Sequence, residues 1–150
     1  MNLNIPPNQY GQIDERDVKR LREFGDLLKK EFAQELICDI RQEDGALTQP
    51  VYTITLEHPA DEIRYVVLLE DISRGQRVET FRIMAESSGG DQYPLYQGTC
   101  IGHKRICQLQ DPFADQNPLI NNSGKVITKL KVQITAARDQ VIMRDIKVYG

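Results

Sequence analysis

Only one stretch of this 150-residue chain repeats with the period of a helix, and it stands near the start. From Ile13 onward, Val18, Leu21, Phe24, Leu28 and Phe32 fall three or four residues apart, which places them on one stripe of an amphipathic helix. Asp14 suits the N-cap and Asp17 the third helical position, where a carboxylate meets the helix's positive end. Lys29 and Lys30 suit the last turns, where cations meet the negative end. From about Leu36 the texture turns to β and no second helical pattern follows. Parallel strands need long, usually helical, crossovers, so the strands of this chain must pair mostly antiparallel.

Several segments carry the strand signal. Val51–Leu56 is rich in β-branched residues, and Ile63–Leu69 is apolar at nearly every position, as expected for a strand covered on both faces. Arg77–Ala85 sets Val78, Phe81 and Ile83 among charges. Tyr93–Cys107 reads as two short strands broken at Gly98 or Gly102. Asp111–Gly124 is a long loop with Pro112, Pro118, Asn121 and Asn122. Thr128, Leu130, Val132 and Ile134 alternate with Lys129, Lys131 and Gln133, a strand with one buried face. Val141–Tyr149 closes the chain with Ile142, Ile146 and Val148 on one parity. Seven or eight short strands after one helix predict a mainly β protein, an antiparallel β-sandwich or jelly roll. Met1–Gln12, with Pro6, Pro7, Gly11 and three Asn, reads as an extended lead-in.

Composition narrows function by exclusion. Lys and Arg number 19 against 22 Asp and Glu, a net charge of −3, so there is no basic excess for phosphate binding and no nucleic-acid partner is expected. No run approaches 18 apolar residues, and the first ten residues lack a charged n-region and an apolar h-region, so neither a membrane span nor a secretory signal is expected. A (β/α)₈ barrel needs about 250 residues, more than this chain holds. Cys38, Cys100 and Cys107 show neither C-x-x-C spacing nor a histidine pair at finger spacing, so no zinc site is expected. Cys100 and Cys107 could pair across a turn; the plainer expectation is that all three are small, half-buried apolar residues.

Certain strings resemble a known family. Asn2-Leu3-Asn4-Ile5-Pro6-Pro7, Gly11-Gln12-Ile13, Asp17-Val18-Lys19-Arg20-Leu21 and Glu23-Phe24-Gly25 resemble the end of the catalytic barrel of α-L-fucosidases, where the chain leaves the last strand and enters a helix leading to a C-terminal β-sandwich. Val66-Val67-Leu68-Leu69-Glu70-Asp71-Ile72, Gly75-Gln76-Arg77-Val78-Glu79 and Phe81 resemble that sandwich. So do Gly98-Thr99-Cys100-Ile101-Gly102-His103-Lys104-Arg105-Ile106 and Ile146-Lys147-Val148-Tyr149. The resemblance runs along nearly the whole chain in order and is to the family-29 glycoside hydrolases, in the branch whose sandwich is similar to galactose-binding and discoidin-type domains.

The resemblance implies a barrel-exit segment and junction helix over 1–34 and a β-sandwich over 35–150. It implies a parent enzyme, secreted or periplasmic, that removes α-linked L-fucose from glycoconjugates with retention. The family's nucleophile and general acid/base belong to its barrel, and no acid here matches them, so no catalytic residue and no cofactor are expected. The partners implied are the catalytic barrel, with Val18, Leu21, Phe24, Leu28 and Phe32 at the domain interface, and a glycan. With no barrel present, the same helix stripe would drive self-association.

For glycan contact the candidates are Tyr93, Tyr96, His103, Lys104 and Arg105, which gather aromatic rings, a histidine and two cations beside Gly102. The competing expectation is structural, with Lys104 or Arg105 pinned to a carboxylate across the sheet or turned toward the barrel. The chain has no Trp, the strongest stacking platform. In Gly75-Gln76-Arg77-Val78, Arg77 either grips a ligand or, as expected, pairs with Glu70 or Asp71 while Gly75 supplies a left-handed turn and Gln76 ties its backbone. His58, beside Pro59, is expected in an exposed loop. Asp111 and Asp115 offer hard oxygens to Ca²⁺ but lack EF-hand spacing, so no metal site is assigned. Asn121-Asn122-Ser123 fits both a glycosylation sequon and plain turn chemistry.

Overall fold

The computed structural model describes residues 5–109 and 126–150. The expectations for Asp111, Asp115 and Asn121 lie outside them. The chain divides into two compact units, Met1–Gln34 and Glu35–Gly150.

The first unit holds the single helix, α1 (Glu15–Glu31). It begins where the sequence places it: the Asp14 side chain accepts from the Arg16 backbone N–H, Glu15 and Asp17 occupy the first turn, and Lys29 and Lys30 the last. Ahead of it, the Asn8 side chain accepts from the backbone N–H groups of Tyr10 and Gln12, closing a turn with Gly11 at φ +73°. No residue of α1 is buried. Val18, Leu21, Phe24 and Phe32 are half-buried, and Leu28 is exposed.

The second unit is a β-sandwich of eight strands among the described residues: β1 (Cys38–Gln42), β2 (Val51–Ala60), β3 (Tyr65–Glu70), β4 (Val78–Ser87), β5 (Gln92–Thr99), β6 (Arg105–Gln108), β7 (Ile127–Ala137) and β8 (Met143–Tyr149). One sheet runs β1-β2-β7-β4-β5 and the other β6-β3-β8, with every pairing antiparallel. Sheet alternation delivers Leu130, Val132 and Ile134 from β7, Phe81, Ile83 and Ala85 from β4, and Val66 and Leu68 from β3 to one core. In β4 the step from Val78 to Phe81 breaks the alternation, and two register shifts against β7 between these residues restore the phase.

The central strand β3 buries Val66, Val67 and Leu68 in succession, but only Val66 and Leu68 join the core cluster. The chain breaks between β5 and β6 at Gly102, φ +64°, whereas Gly98 lies inside β5. Gly98 is there for space: a Cβ on it would come within 2.8 Å of the rings of both Phe81, its register partner, and Tyr96. Two expectations need correction. In the closing segment the buried residue before β8 is Val141, while Ile142 is 47% exposed, because the chain is still in the β7–β8 loop there. His58 is exposed, but it sits in β2, where the register with β7 slips between Thr55 and Ala60.

Among the cysteines all three are free, which leaves Cys100 and Cys107 unpaired. Cys107 fits the apolar role, since burial pushes its thiol up to about 12. Cys38 is half-buried and also raised by burial, whereas Cys100 is exposed at φ +50°. An aromatic disulfide reagent at about pH 8 is expected to label Cys100 fast, Cys38 slowly and Cys107 only after denaturation, because the thiolate is the reacting form. Immediate labelling of all three, or of none, would contradict this arrangement.

Candidate functional site

Glu70 is the one charged side chain in the sandwich core among the described residues, 1% exposed at the end of β3. A buried carboxylate has to be met by donors. Here Oε1 accepts from the backbone N–H groups of Arg77 (2.6 Å) and Val78 (3.1 Å), and Oε2 accepts from that of Gly102 (3.0 Å). The Glu70 N–H in turn donates to the Gly102 carbonyl at 3.1 Å. One side chain thereby fixes the β3–β4 loop and the β5–β6 turn to the end of the sandwich.

The β7–β8 loop is tied to the same place through its backbone. Asp71 N–H donates to the Ile142 carbonyl at 2.8 Å, and Arg138 N–H to the Arg77 carbonyl at 3.0 Å. Between the two loops lies a cleft of about 400 Å³ lined by Asp71, Ser73, Arg74, Arg77, Asp139, Gln140 and Ile142. This volume is within the range of small-ligand clefts.

Its side chains are placed by local turn chemistry. Gly75, φ +92°, closes a turn by donating to the Ile72 carbonyl, and the Gln76 amide reaches the Val78 carbonyl at 3.5 Å, as the sequence implies. Arg77 departs from expectation. Its backbone, not its guanidinium, meets Glu70. The guanidinium pairs with Asp139 at 2.5 Å and donates to the Arg74 carbonyl at 3.0 and 3.3 Å. The reason is topological: Asp139 is 62 residues downstream and only the β7–β8 loop brings it across, so nothing local in the sequence names it.

The two carboxylates of the cleft are held ionised. Asp71 is lowered from the usual carboxylate value first by the Ser73 backbone N–H it accepts at 2.9 Å, with Arg144 and Arg74 adding their charge. Asp139 is lowered first by the Gln140 backbone N–H and then by Arg77. A general acid for glycoside cleavage must hold its proton near neutrality, which requires a raised value. Asp71 and Asp139 are shifted the opposite way.

The residues singled out for glycan contact do not gather around this cleft. Tyr93 and Tyr96 are half-buried on β5 and packed against the core, and Tyr96 stacks on Phe81 with centroids 5.9 Å apart. Arg105 donates to the Tyr96 hydroxyl at 3.1 Å rather than to a carboxylate. His103 and Lys104 are exposed in the β5–β6 turn. Sequence reading missed Arg74, Asp139 and Gln140. The only signal available was the Gly75-Gln76-Arg77 turn, which lies next to them. No group of three or more His, Cys, Asp or Glu among the described residues is arranged to hold a metal ion, and no described helix is long and apolar enough to cross a membrane.

The architecture is that of an antiparallel β-sandwich with a polar cleft between two loops at its end. No family model matches the chain. Alpha-L-fucosidase 1 of Arabidopsis thaliana is 25% identical over 135 residues, a match taking in 71% of this chain and 27% of that protein. A Bacteroides ovatus structure assigned as an α-L-fucosidase is 32% identical with a TM-score of 0.68, covering 98% of this chain and 23% of its own. A family-29 fucosidase of Ruminococcus gnavus, solved in complex with fucose, shares the fold with a TM-score of 0.71 at 20% identity, over 99% of this chain and 33% of its own. The chain thus spans between about a quarter and a third of these relatives. It fits a C-terminal module of a family-29 α-L-fucosidase, as its strings imply.

Proposed function

We propose that this chain is the non-catalytic C-terminal module of an α-L-fucosidase whose barrel, outside these 150 residues, hydrolyses α-L-fucosyl linkages in glycoconjugates with retention. The observation that carries the reading is the lopsided coverage: nearly the whole chain matches, against 23% to 33% of the solved relatives just named. The electrostatics of the sandwich support it. Retaining hydrolysis needs a nucleophilic carboxylate and a protonated carboxyl about 5 Å apart around a sugar pocket. The polar cleft offers only two carboxyl groups with lowered values. Supporting the barrel is then the module's first task, with the α1 stripe of Val18, Leu21, Phe24, Leu28 and Phe32 as the surface that meets it.

The test is to read the coding DNA upstream of Met1, express the longest open frame that runs into this chain, and assay it on 4-nitrophenyl α-L-fucoside. Hydrolysis that releases α-configured L-fucose first is expected. A long frame that encodes no barrel, or a purified product inert toward fucosides, would overturn the proposal.

A further inference from the structure

We propose that the open edge of β1 is a docking strand for a second copy of this chain, the two β1 strands pairing antiparallel about Ile40 so that one five-stranded sheet continues into the other.

The hydrogen-bonding phase of β1 is fixed at its two ends. The Glu57 N–H donates to the Ile37 carbonyl at 3.0 Å, and the Glu43 N–H to the Val51 carbonyl at 2.8 Å. In an antiparallel pair every second residue turns both backbone groups toward the partner strand, and the residues between turn both away. Ile37, Asp39, Arg41 and Glu43 therefore serve β2, in the register that sets Asp39 against Thr55 and Arg41 against Thr53. Leu36, Cys38, Ile40 and Gln42 turn outward. The Leu36 N–H is taken by the Val148 carbonyl at 2.8 Å. Beyond Cys38, Ile40 and Gln42 there is no further strand among the described residues, because β1 ends its sheet. Such a row of N–H and C=O groups is a template for another strand.

The residues on the edge decide which strand. With Ile40 opposite its own counterpart, Cys38 faces the second copy's Gln42 and Gln42 its Cys38, so each outward N–H meets an outward C=O. Asp39 then faces the second copy's Arg41, in the positions where cross-strand side chains approach closest. Sliding the pair by two residues either way would set Asp39 against Asp39 or Arg41 against Arg41, which like charges oppose. Within one chain Asp39 and Arg41 pair with each other at 2.7 Å, both well exposed, so their contacts can exchange across the seam. Ile40 lies on the inner side with its register partner Ile54, yet is 37% exposed. It borders an open groove of about 220 Å³ with Tyr52, Met143 and Ile146, which the second Ile40 would help to cover. One short strand from each copy buries little surface, so a weak, salt-sensitive dimer with Kd on the order of 100 µM is expected. The pairing rests on the edge of β1 and not on the reading above.

The experiment is sedimentation equilibrium of the 150-residue chain at low salt, with a reductant present because Cys100 is free and exposed. A monomer–dimer equilibrium is expected between about 10 µM and about 1 mM. Asp39→Arg gives the edge two positive side chains and Arg41→Asp two negative ones, and each alone should weaken the dimer by about tenfold or more. Mixed in equal amounts, the two variants should form a heterodimer at least as tight as the unsubstituted dimer, since every opposed pair is again of opposite sign. Both side chains are exposed, so the fold should be kept, which a thermal melt checks. A chain monomeric throughout the range, a dimer indifferent to both substitutions, or a mixture that stays monomeric would each overturn the proposal. A dimer kept in Asp39→Arg but lost in Leu28→Glu would assign the contact to the α1 stripe and overturn it as well.

Discussion

Replacing Glu70 with alanine is expected to remove on the order of 4 kcal/mol of folding stability. The loss comes from what it leaves behind. The backbone N–H groups of Arg77, Val78 and Gly102 all donate to its two oxygens, in a region where Val78 is 1% exposed. Each stranded buried donor costs about 1–3 kcal/mol, and a cavity the size of a carboxyethyl group adds to it. Glu70→Gln should lose about half as much, because one oxygen remains while the new amide NH₂ confronts a backbone N–H that already donates. Urea denaturation of the three proteins measures the series. An alanine variant within about 1 kcal/mol of the parent would mean that water replaces the carboxylate and that the three segments are not held through it.

Phe81→Ala is expected to cost about 3–5 kcal/mol, since the ring is fully buried between the sheets and stacks on Tyr96. Its coupling to Gly98 is more diagnostic than its size. Gly98→Ala alone should cost about 1–3 kcal/mol, because the added methyl would lie 2.8 and 2.9 Å from two atoms of the Phe81 ring and 2.8 Å from one of Tyr96. In the Phe81→Ala background two of those three close approaches are gone. The second substitution should then cost clearly less, a non-additivity that a double-mutant cycle by denaturant midpoint detects. Strict additivity would show that the Phe81 ring is not what excludes a side chain at Gly98, leaving the Tyr96 ring as the obstacle.

Periodicity carried the frame of this molecule because burial on one side imposes it. Leu130, Val132 and Ile134 on β7, and the span and cap of α1, follow from spacing alone. Edge positions are where spacing falls silent. Strand β1 has four exposed residues of five and no alternation to read, so its pairing with β2 appears only once the sheet is assembled. In β4, the slip between Val78 and Phe81 is absorbed by irregularities against β7, which no local pattern announces.

The cleft was the harder case. The turn at Gly75-Gln76-Arg77 was visible because glycine and its neighbours mark turns locally. The partner of Arg77 was not, because Glu70 and Asp71 are near in sequence whereas Asp139 is near only in space. Tyr96 and Arg105 drew attention as an aromatic and a cation, yet their mutual hydrogen bond and the Phe81 stack engage them with each other and with the core. Composition identifies groups that can meet a ligand; only topology says which of them have already met one another.

On the proposed division of an α-L-fucosidase into a part that reacts and a part that does not, this chain is the second. Continuous assay of the purified 150-residue chain on 4-nitrophenyl α-L-fucoside puts that division at risk in one step. The rate is predicted to equal that of buffer at any protein concentration. Turnover proportional to the chain, and abolished by substituting Asp71 or another of its own carboxylates, would contradict it.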